Sequence, residues 1–292
     1  MDTEQREKYQ SLLDGLRTLQ SVGVAFSGGV DSTLLLFAAH EALGDNAVAL
    51  TALSPTFPER ERNGAAAFCA EHGIRQITFA SNELDLPEFR RNPENRCYLC
   101  KSNLMGRALG IARDEGLATL VEGSNVDDLS DYRPGAQAIA ELHIASPLRQ
   151  AGLTKQDIRD ISHELGLPTW NKPSFACLSS RFAYGDLIDT ATLAMIDAAE
   201  QYLMDRGFPQ VRVRVHSLGR DRDLARIEIP AADFERFFSE GNAAPTEAAL
   251  RDLGFLYVTF DLGGYQTGKM NRTLSGSSHA KTDDDEDAHR NA

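Results

Sequence analysis

The sequence predicts an α/β protein, a doubly wound parallel sheet followed by a smaller C-terminal α+β domain. Short apolar runs at residues 22–26, 47–53, 74–79 and 118–122 alternate with longer stretches whose apolar residues recur at helical spacing. Strands separated by helices cannot pair as hairpins, so they line up in parallel with helices on both faces. Near residue 182 that rhythm breaks, and the strict alternation Val211-Arg212-Val213-Arg214-Val215-His216 appears. Such alternation is the mark of a half-buried strand. Domains are therefore expected at 1–182 and 183–274, with a disordered acidic tail at 275–292.

Each element has its own signal. Leu12, Leu13, Leu16 and Leu19 stripe one face of a helix over residues 5–20. The run Val22-Gly23-Val24-Ala25-Phe26 is the opening strand, and the helix after it carries Leu34, Leu35, Leu36, Ala38, Ala39 and Leu43 before Gly44 stops it. Residues 47–53 form the second strand, a charged helix runs from Glu59 to His72, and Gly73 separates it from a third strand at 74–79. Leu104, Met105, Ala108, Leu109 and Ile111 make another helix, and residues 118–122 a fourth strand. Thr154 can cap a helix that runs to Leu165. Beyond 182, a helix at 191–204, strands at 211–216, 225–229 and 254–262, and a short helix at 231–238 complete the smaller domain.

Composition narrows the function classes. Hydrophobic content of 42% and charged content of 25% fit a soluble globular protein. No apolar stretch is long enough to span a bilayer and the N-terminal residues lack the apolar core of a signal peptide, so no membrane and a cytoplasmic location are expected. The formal charge is −13, of which residues 275–292 carry −3, leaving −10 on the body. A body this acidic is a poor partner for extended nucleic acid, whose binding depends on neutralising phosphates. A small anion needs only a local cationic pocket.

Ser27-Gly28-Gly29-Val30-Asp31-Ser32 joins the opening strand to its helix. Backbone N–H groups at a helix start, with glycines that let a ligand approach, bind phosphate. The stretch lacks the Lys-Ser/Thr of the Walker pattern. It resembles instead the SGGxDS pyrophosphatase loop of enzymes that cleave ATP between the α and β phosphates and leave an adenylate. Asp31, a carboxylate beside polyphosphate, must cap the helix or help hold a divalent cation. Because ligands in such sheets bind beyond the carboxyl ends of strands, Ser54, Gly123, Asp127 and Asp128 should line the same mouth, with Asp131 close by.

Cys97 and Cys100 form a C-x-x-C beside Lys101, and Cys177 lies far away in sequence near Ser180 and Arg181. Three thiolates could ligate three irons of a four-iron cluster and leave the fourth open. Zinc, a redox or sacrificial thiol, and inert thiols are the alternatives. Cys69, between Phe68 and Ala70, reads as a packed core thiol. Arg212 and Arg214 share a strand face and could hold a phosphate, or could simply be a solvated surface. Glu200 and Glu228 could coordinate a divalent ion.

Taken with Arg96-Cys97-Tyr98-Leu99-Cys100-Lys101, Gly123-Ser124-Asn125-Val126-Asp127-Asp128 and Ala176-Cys177-Leu178-Ser179-Ser180-Arg181, the loop makes the sequence similar to the LarE family of ATP-dependent sulfur transferases. The likeness runs from about residue 10 to Asn271. It implies adenylation of a carboxylate of a pyridinium biscarboxylate mononucleotide and replacement of oxygen by sulfur, on the way to the nickel-pincer nucleotide of lactate racemase and related enzymes. Members with one cysteine at the position of Cys177 sacrifice it, whereas three-cysteine members, which this chain resembles, are thought to carry sulfide on a [4Fe-4S] cluster. The resemblance further implies ATP with Mg²⁺ on Ser27 to Ser32, charge neutralisation by Lys101 or Arg181, and substrate phosphate held by Arg212 and Arg214 near Ser180. The partner is then a small molecule, and a homo-oligomer is expected. A tRNA thiolase with the same loop is the nearest rival, and an ammonia-using synthetase or a nucleotide sensor are more distant ones.

Overall fold

All four apolar runs of the first half become strands: β1 (Val22–Ala25), β2 (Ala47–Leu53), β3 (Gln76–Ala80) and β4 (Thr119–Val121). They pair in parallel in the order β3-β2-β1-β4. The order reverses between β1 and β4, and that reversal is where an open α/β sheet leaves a crevice for ligands.

Among the described residues, eight helices accompany the sheet: α1 (Thr3–Thr18), α2 (Val30–Leu43), α3 (Glu59–Glu71), α4 (Pro87–Arg90), α5 (Arg96–Asp114), α6 (Pro134–Glu141), α7 (Pro147–Gln150) and α8 (Lys155–Glu164). The pleat of β2 sorts them. Ala47 and Ala49 pack into a core with Leu12 and Leu16 of α1, Leu35 of α2, Phe68 of α3 and Ile158 of α8. Val48 and Leu50 point the other way, into a core with Met105 and Ala108 of α5 and Ile139 of α6. Both faces are therefore covered, which is why β2 is apolar from Ala47 to Leu50 rather than alternating. Burying a leucine such as Leu16 or Leu35 contributes about 1.5–3 kcal/mol each. Gly23 of β1 is fixed by this packing, since a Cβ there would lie 2.9 Å from Leu50 Cδ1.

The second sheet holds β5 (Arg212–Ser217), β6 (Asp223–Glu228) and β7 (Tyr257–Phe260) in that order, antiparallel then parallel. With α9 (Thr190–Asp205), α10 (Phe234–Ser239) and α11 (Ala243–Asp252) it gives the small mixed α+β layer expected. Val213 and Val215 of β5, Ile196 and Leu203 of α9 and Leu250 of α11 are all buried.

The structure describes residues 1–129, 134–173, 175–219, 223–266 and 269, so Asp131 and the expected tail at 275–292 lie outside the described residues. By contacts the chain divides into one unit of Met1–Leu178 with Ile188–Leu193, and another of Ser179–Leu187 with the chain from Ala194 onward. A single cut near 182 overlooks the return at Ile188, whose N–H donates to the Arg90 carbonyl at 2.8 Å within the first unit. Among the described residues no helix is long and apolar enough to cross a membrane.

Candidate active site

Ser27 to Ser32 connect β1 to α2. Gly28 adopts φ +73°, and a Cβ there would meet Ala65 Cβ and the Glu61 carbonyl, both at 3.3 Å. Only glycine fits both the left-handed backbone and the space. Gly29 is the N-cap of α2 with no side-chain cap, so the first N–H groups of that helix are left for a ligand. Ser27 Oγ and Ser32 Oγ lie 3.1 Å apart, and Ser32 Oγ donates to the Gly29 carbonyl at 3.2 Å, which closes the loop on itself. Across the crevice, a Cβ on Gly123 would lie 3.1 Å from the Ser32 nitrogen, so the exit of β4 comes up against the helix start.

A cavity of about 380 Å³ opens here, lined by Ser27, Gly29, Asp31 and Ser32 of the loop, by Gly123 and Asp128 after β4, and by Cys100 and Lys101 of α5. Its wall on α3 includes Arg62, whose Nε is buried with no hydrogen-bond partner among the described residues. Asp31 takes a hydrogen bond from Asn125 Nδ2 at 3.1 Å and an ion pair from Lys155. Lys155 also donates its backbone N–H to Asp127 at 2.7 Å, so Asp127 orients α8 rather than facing the cavity. Lys172 Nζ holds the Gly28 carbonyl at 2.9 Å and Glu61 at 2.8 Å. Lys101 Nζ stands 4.0 Å from buried Glu122, which accepts from Ser124 and Ser146.

Ser54 departs from expectation. It is fully buried, bonded to Thr56 Oγ1 at 2.7 Å and to Glu83, and is turned away from the cavity. The turn after β2 satisfies its polar groups internally, and Thr51 and Ala52 reach the cavity instead.

Helix α5 begins earlier than its apolar pattern suggests, at Arg96, so Cys97 and Cys100 sit three apart on one helical face in its first turns. All four cysteines are thiols. Burial pushes the Cys100 thiol well up, followed by the Cys177, Glu83 and Cys97 charges, with Lys101 opposing. Cys97 is exposed as a residue, yet desolvation of its sulfur and then the Cys177 charge raise it, against the pull of Arg96 and Lys101. Both effects place Cys177 within electrostatic reach of the C-x-x-C pair. Among the described residues, no three His, Cys, Asp or Glu side chains are grouped tightly enough to hold a single metal ion. Cys69 is buried in α3, and desolvation pushes it up to about 11, as befits a packed thiol.

The second unit gathers a separate cationic cluster. Arg181 is fully buried and donates to both oxygens of Glu200, Nε at 2.8 Å and Nη2 at 3.0 Å, and its Nη1 donates to Ser180 Oγ at 2.8 Å. Arg214 donates to Glu228 at 3.1 Å and to the Ser180 carbonyl at 2.7 Å. Arg226 takes the other oxygen of Glu228 at 2.9 Å. Every oxygen of Glu200 and Glu228 thus faces a guanidinium, which corrects the expectation that they ligate a divalent ion. Burial by itself raises the Glu200 carboxyl, but Arg181, Arg212 and the Val213 N–H together hold it below its usual value.

Arg212 and Arg214 are 3% and 5% exposed, so their strand face is no solvated surface. Burial, then the Arg181 charge, pushes Arg212 down to about 10, and it stacks over Tyr265 at 5.1 Å. The cluster carries four guanidiniums against Glu200, Glu228 and the Asp261 that pairs with Arg226, a small excess suited to a phosphate. Arg181, expected to act in catalysis, is instead held by Glu200 as a buried support for Ser180 and for the Arg212 environment.

The sequence reading missed Lys155, Lys172, Arg62 and Glu122. Lys155 alone had a usable signal, as the first residue of a capped helix whose start faces the sheet mouth.

No protein-family model matches the chain. It is 43% identical over 270 residues to an uncharacterised protein of Synechocystis, covering 91% of this chain and 99% of that protein. It is 39% identical over 269 residues to the pyridinium-3,5-bisthiocarboxylic acid mononucleotide synthase of Lactiplantibacillus plantarum, covering 92% of this chain and 95% of the synthase. A fainter likeness, 28% over 174 residues, links 51% of the chain to 32% of the glutamine-hydrolysing GMP synthase of Aeropyrum pernix.

Proposed function

The chain belongs to the LarE family of pyridinium-3,5-bisthiocarboxylic acid mononucleotide synthases, and from that premise we propose how its residues divide the work of ATP-dependent sulfur transfer in nickel-pincer cofactor synthesis. The carrying observation is that one cavity is lined both by the loop Ser27 to Ser32 and by Cys100 and Lys101. Activation and sulfur delivery then share a wall.

MgATP lies with its β and γ phosphates on the N–H groups of Gly29 and the start of α2, and Arg62 and Lys155 add positive charge. Asp128 also lines the cavity and is the carboxylate offered to its metal, Asp31 being paired with Lys155. A carboxylate oxygen of the pyridinium biscarboxylate mononucleotide attacks the α-phosphorus, and the bond to the bridging oxygen breaks as pyrophosphate leaves. Lys101 offsets the charge that builds on the α-phosphate. Sulfide then attacks the acyl carbon, and AMP departs with the original oxygen. In the second unit, Arg212 and Arg214, the latter donating to the Ser180 carbonyl, form a candidate grip for a phosphate group.

Cys97, Cys100 and Cys177 fit a [4Fe-4S] cluster by their donor chemistry. Burial makes the Cys97 and Cys100 thiols resist ionisation, and a cationic centre would relieve that resistance. When bound, such a cluster supplies a reversible carrier of sulfide on its open iron. The chain's own residues set the three sulfurs and keep Cys100 shielded from bulk water.

The test is anaerobic. Protein purified with its iron and sulfide is given ATP, Mg²⁺ and the pyridinium mononucleotide, and product and protein mass are followed together. Repeated turnover at unchanged mass is expected. One product per chain with Cys177 converted to dehydroalanine overturns the cluster route in favour of a sacrificial thiol, and no pyrophosphate release overturns the adenylation step.

A further inference from the structure

Glu83 is completely buried in the first unit, and among the described residues the hydrogen-bond donors to its carboxylate are hydroxyls. Oε1 accepts from Ser54 Oγ and from Thr56 Oγ1, the latter at 3.0 Å, and Oε2 accepts from Ser81 Oγ. No cation pairs with it among the described residues. A carboxylate in such surroundings is costly unless its hydrogen bonds do something that an apolar residue could not.

What they do is tie two strand exits together. Ser54 and Thr56 follow β2, and Ser81 follows β3. The turn they fix offers the Thr56 carbonyl to the Leu178 N–H at 2.8 Å. That bond anchors the residue next to Cys177, whereas Cys97 and Cys100 are carried by helix α5. Cys177 has no regular element of its own to hold it.

We propose that Glu83 is a positioning residue that sets the Cys177 segment against the C-x-x-C pair, acting through Thr56 and Leu178. The inference rests on the reading that Cys177 works together with Cys97 and Cys100. Glutamine keeps the geometry, since its carbonyl oxygen accepts from Ser54 and Thr56 while its amide donates to Ser81 Oγ. Alanine removes it.

The test uses the full chain, iron-free and reduced, treated with diamide, with the Cys177 disulfide to Cys97 or Cys100 followed by mass spectrometry of peptides. Glu83→Ala is expected to slow that disulfide at least fivefold, and Glu83→Gln to stay within twofold of wild type. In the iron-loaded protein, Glu83→Ala is expected to release pyrophosphate within twofold of wild type while sulfur transfer falls at least tenfold. A loss of general stability would depress both steps together. Should Glu83→Ala not fold, Thr56→Val removes one hydroxyl and keeps the carbonyl, and a two- to threefold slower disulfide is expected. Equal disulfide rates in wild type and Glu83→Ala overturn the positioning role, as does a Glu83→Gln variant as slow as alanine. If wild type itself forms no disulfide between Cys177 and either partner, the three-cysteine reading falls first and this inference with it.

Discussion

Lys155 does its work as a single charge. It pairs with Asp31 inside the loop cavity, so a carboxylate that would repel polyphosphate is neutralised before the nucleotide arrives. Lys155→Met leaves Asp31 facing the phosphates, with Asn125 its remaining partner among the described residues. The expected outcome is a KM for ATP raised about tenfold, equivalent to about 1.4 kcal/mol, with the protein still folded. Pyrophosphate release against ATP concentration measures it, and an unchanged KM would remove Lys155 from the site. This residue also marks the limit of reading by motif. The loop was legible because six consecutive residues carry it, but Lys155 lies far along the chain and ranks there as an ordinary charged residue at a helix start.

At the scale of the element, the loop depends on one backbone angle. Gly28 sits at φ +73° against α3. Gly28→Ala forces a Cβ into left-handed backbone at a cost of about 1–2 kcal/mol and crowds Ala65. A lower melting temperature and a larger loss in adenylation are expected, since the displaced N–H groups are the ones proposed to bind phosphate. The strand-helix alternation was legible for the same reason that β2 is apolar from Ala47 to Leu50: a parallel strand is buried on both faces. The start of α5 was less so. Arg96 and Cys97 give no helical periodicity, yet the helix extends over them. Strand β5 misled in the opposite sense, because alternating valine and arginine suggests one wet face, whereas Arg212 and Arg214 are buried by Glu200 and Glu228 brought from elsewhere in the chain.

Over the whole molecule, a net charge of −13 coexists with two clusters of paired charges, one lining the loop cavity of the first unit and one buried in the second. The buried one has a consequence for acid stability. Glu200 is held below the usual carboxyl value despite its burial, so its folded pKa lies below its unfolded one. The stabilisation is therefore complete above the unfolded value and is lost as pH falls through the folded value. Urea unfolding across the acid range should show this slope. Glu200→Gln should flatten it and, by leaving Arg181 buried without a counter-charge, cost about 3–5 kcal/mol at neutral pH. A variant as stable as wild type would mean that the pair contributes nothing net.

By itself the sequence determined the parallel α/β sheet, the phosphate loop and the identity of the three cysteines, because each is written in adjacent or periodically spaced residues. Tertiary structure alone decided which distant groups meet. It set Cys177 within electrostatic reach of Cys97 and Cys100, paired Lys155 with Asp31, enclosed Glu83 among hydroxyls and filled Glu200 and Glu228 with guanidiniums. The physical reason is that hydrophobic periodicity fixes local direction and face, while the partner of a buried charge is fixed only when non-local packing closes around it and the charge must be satisfied by whatever the fold has brought near.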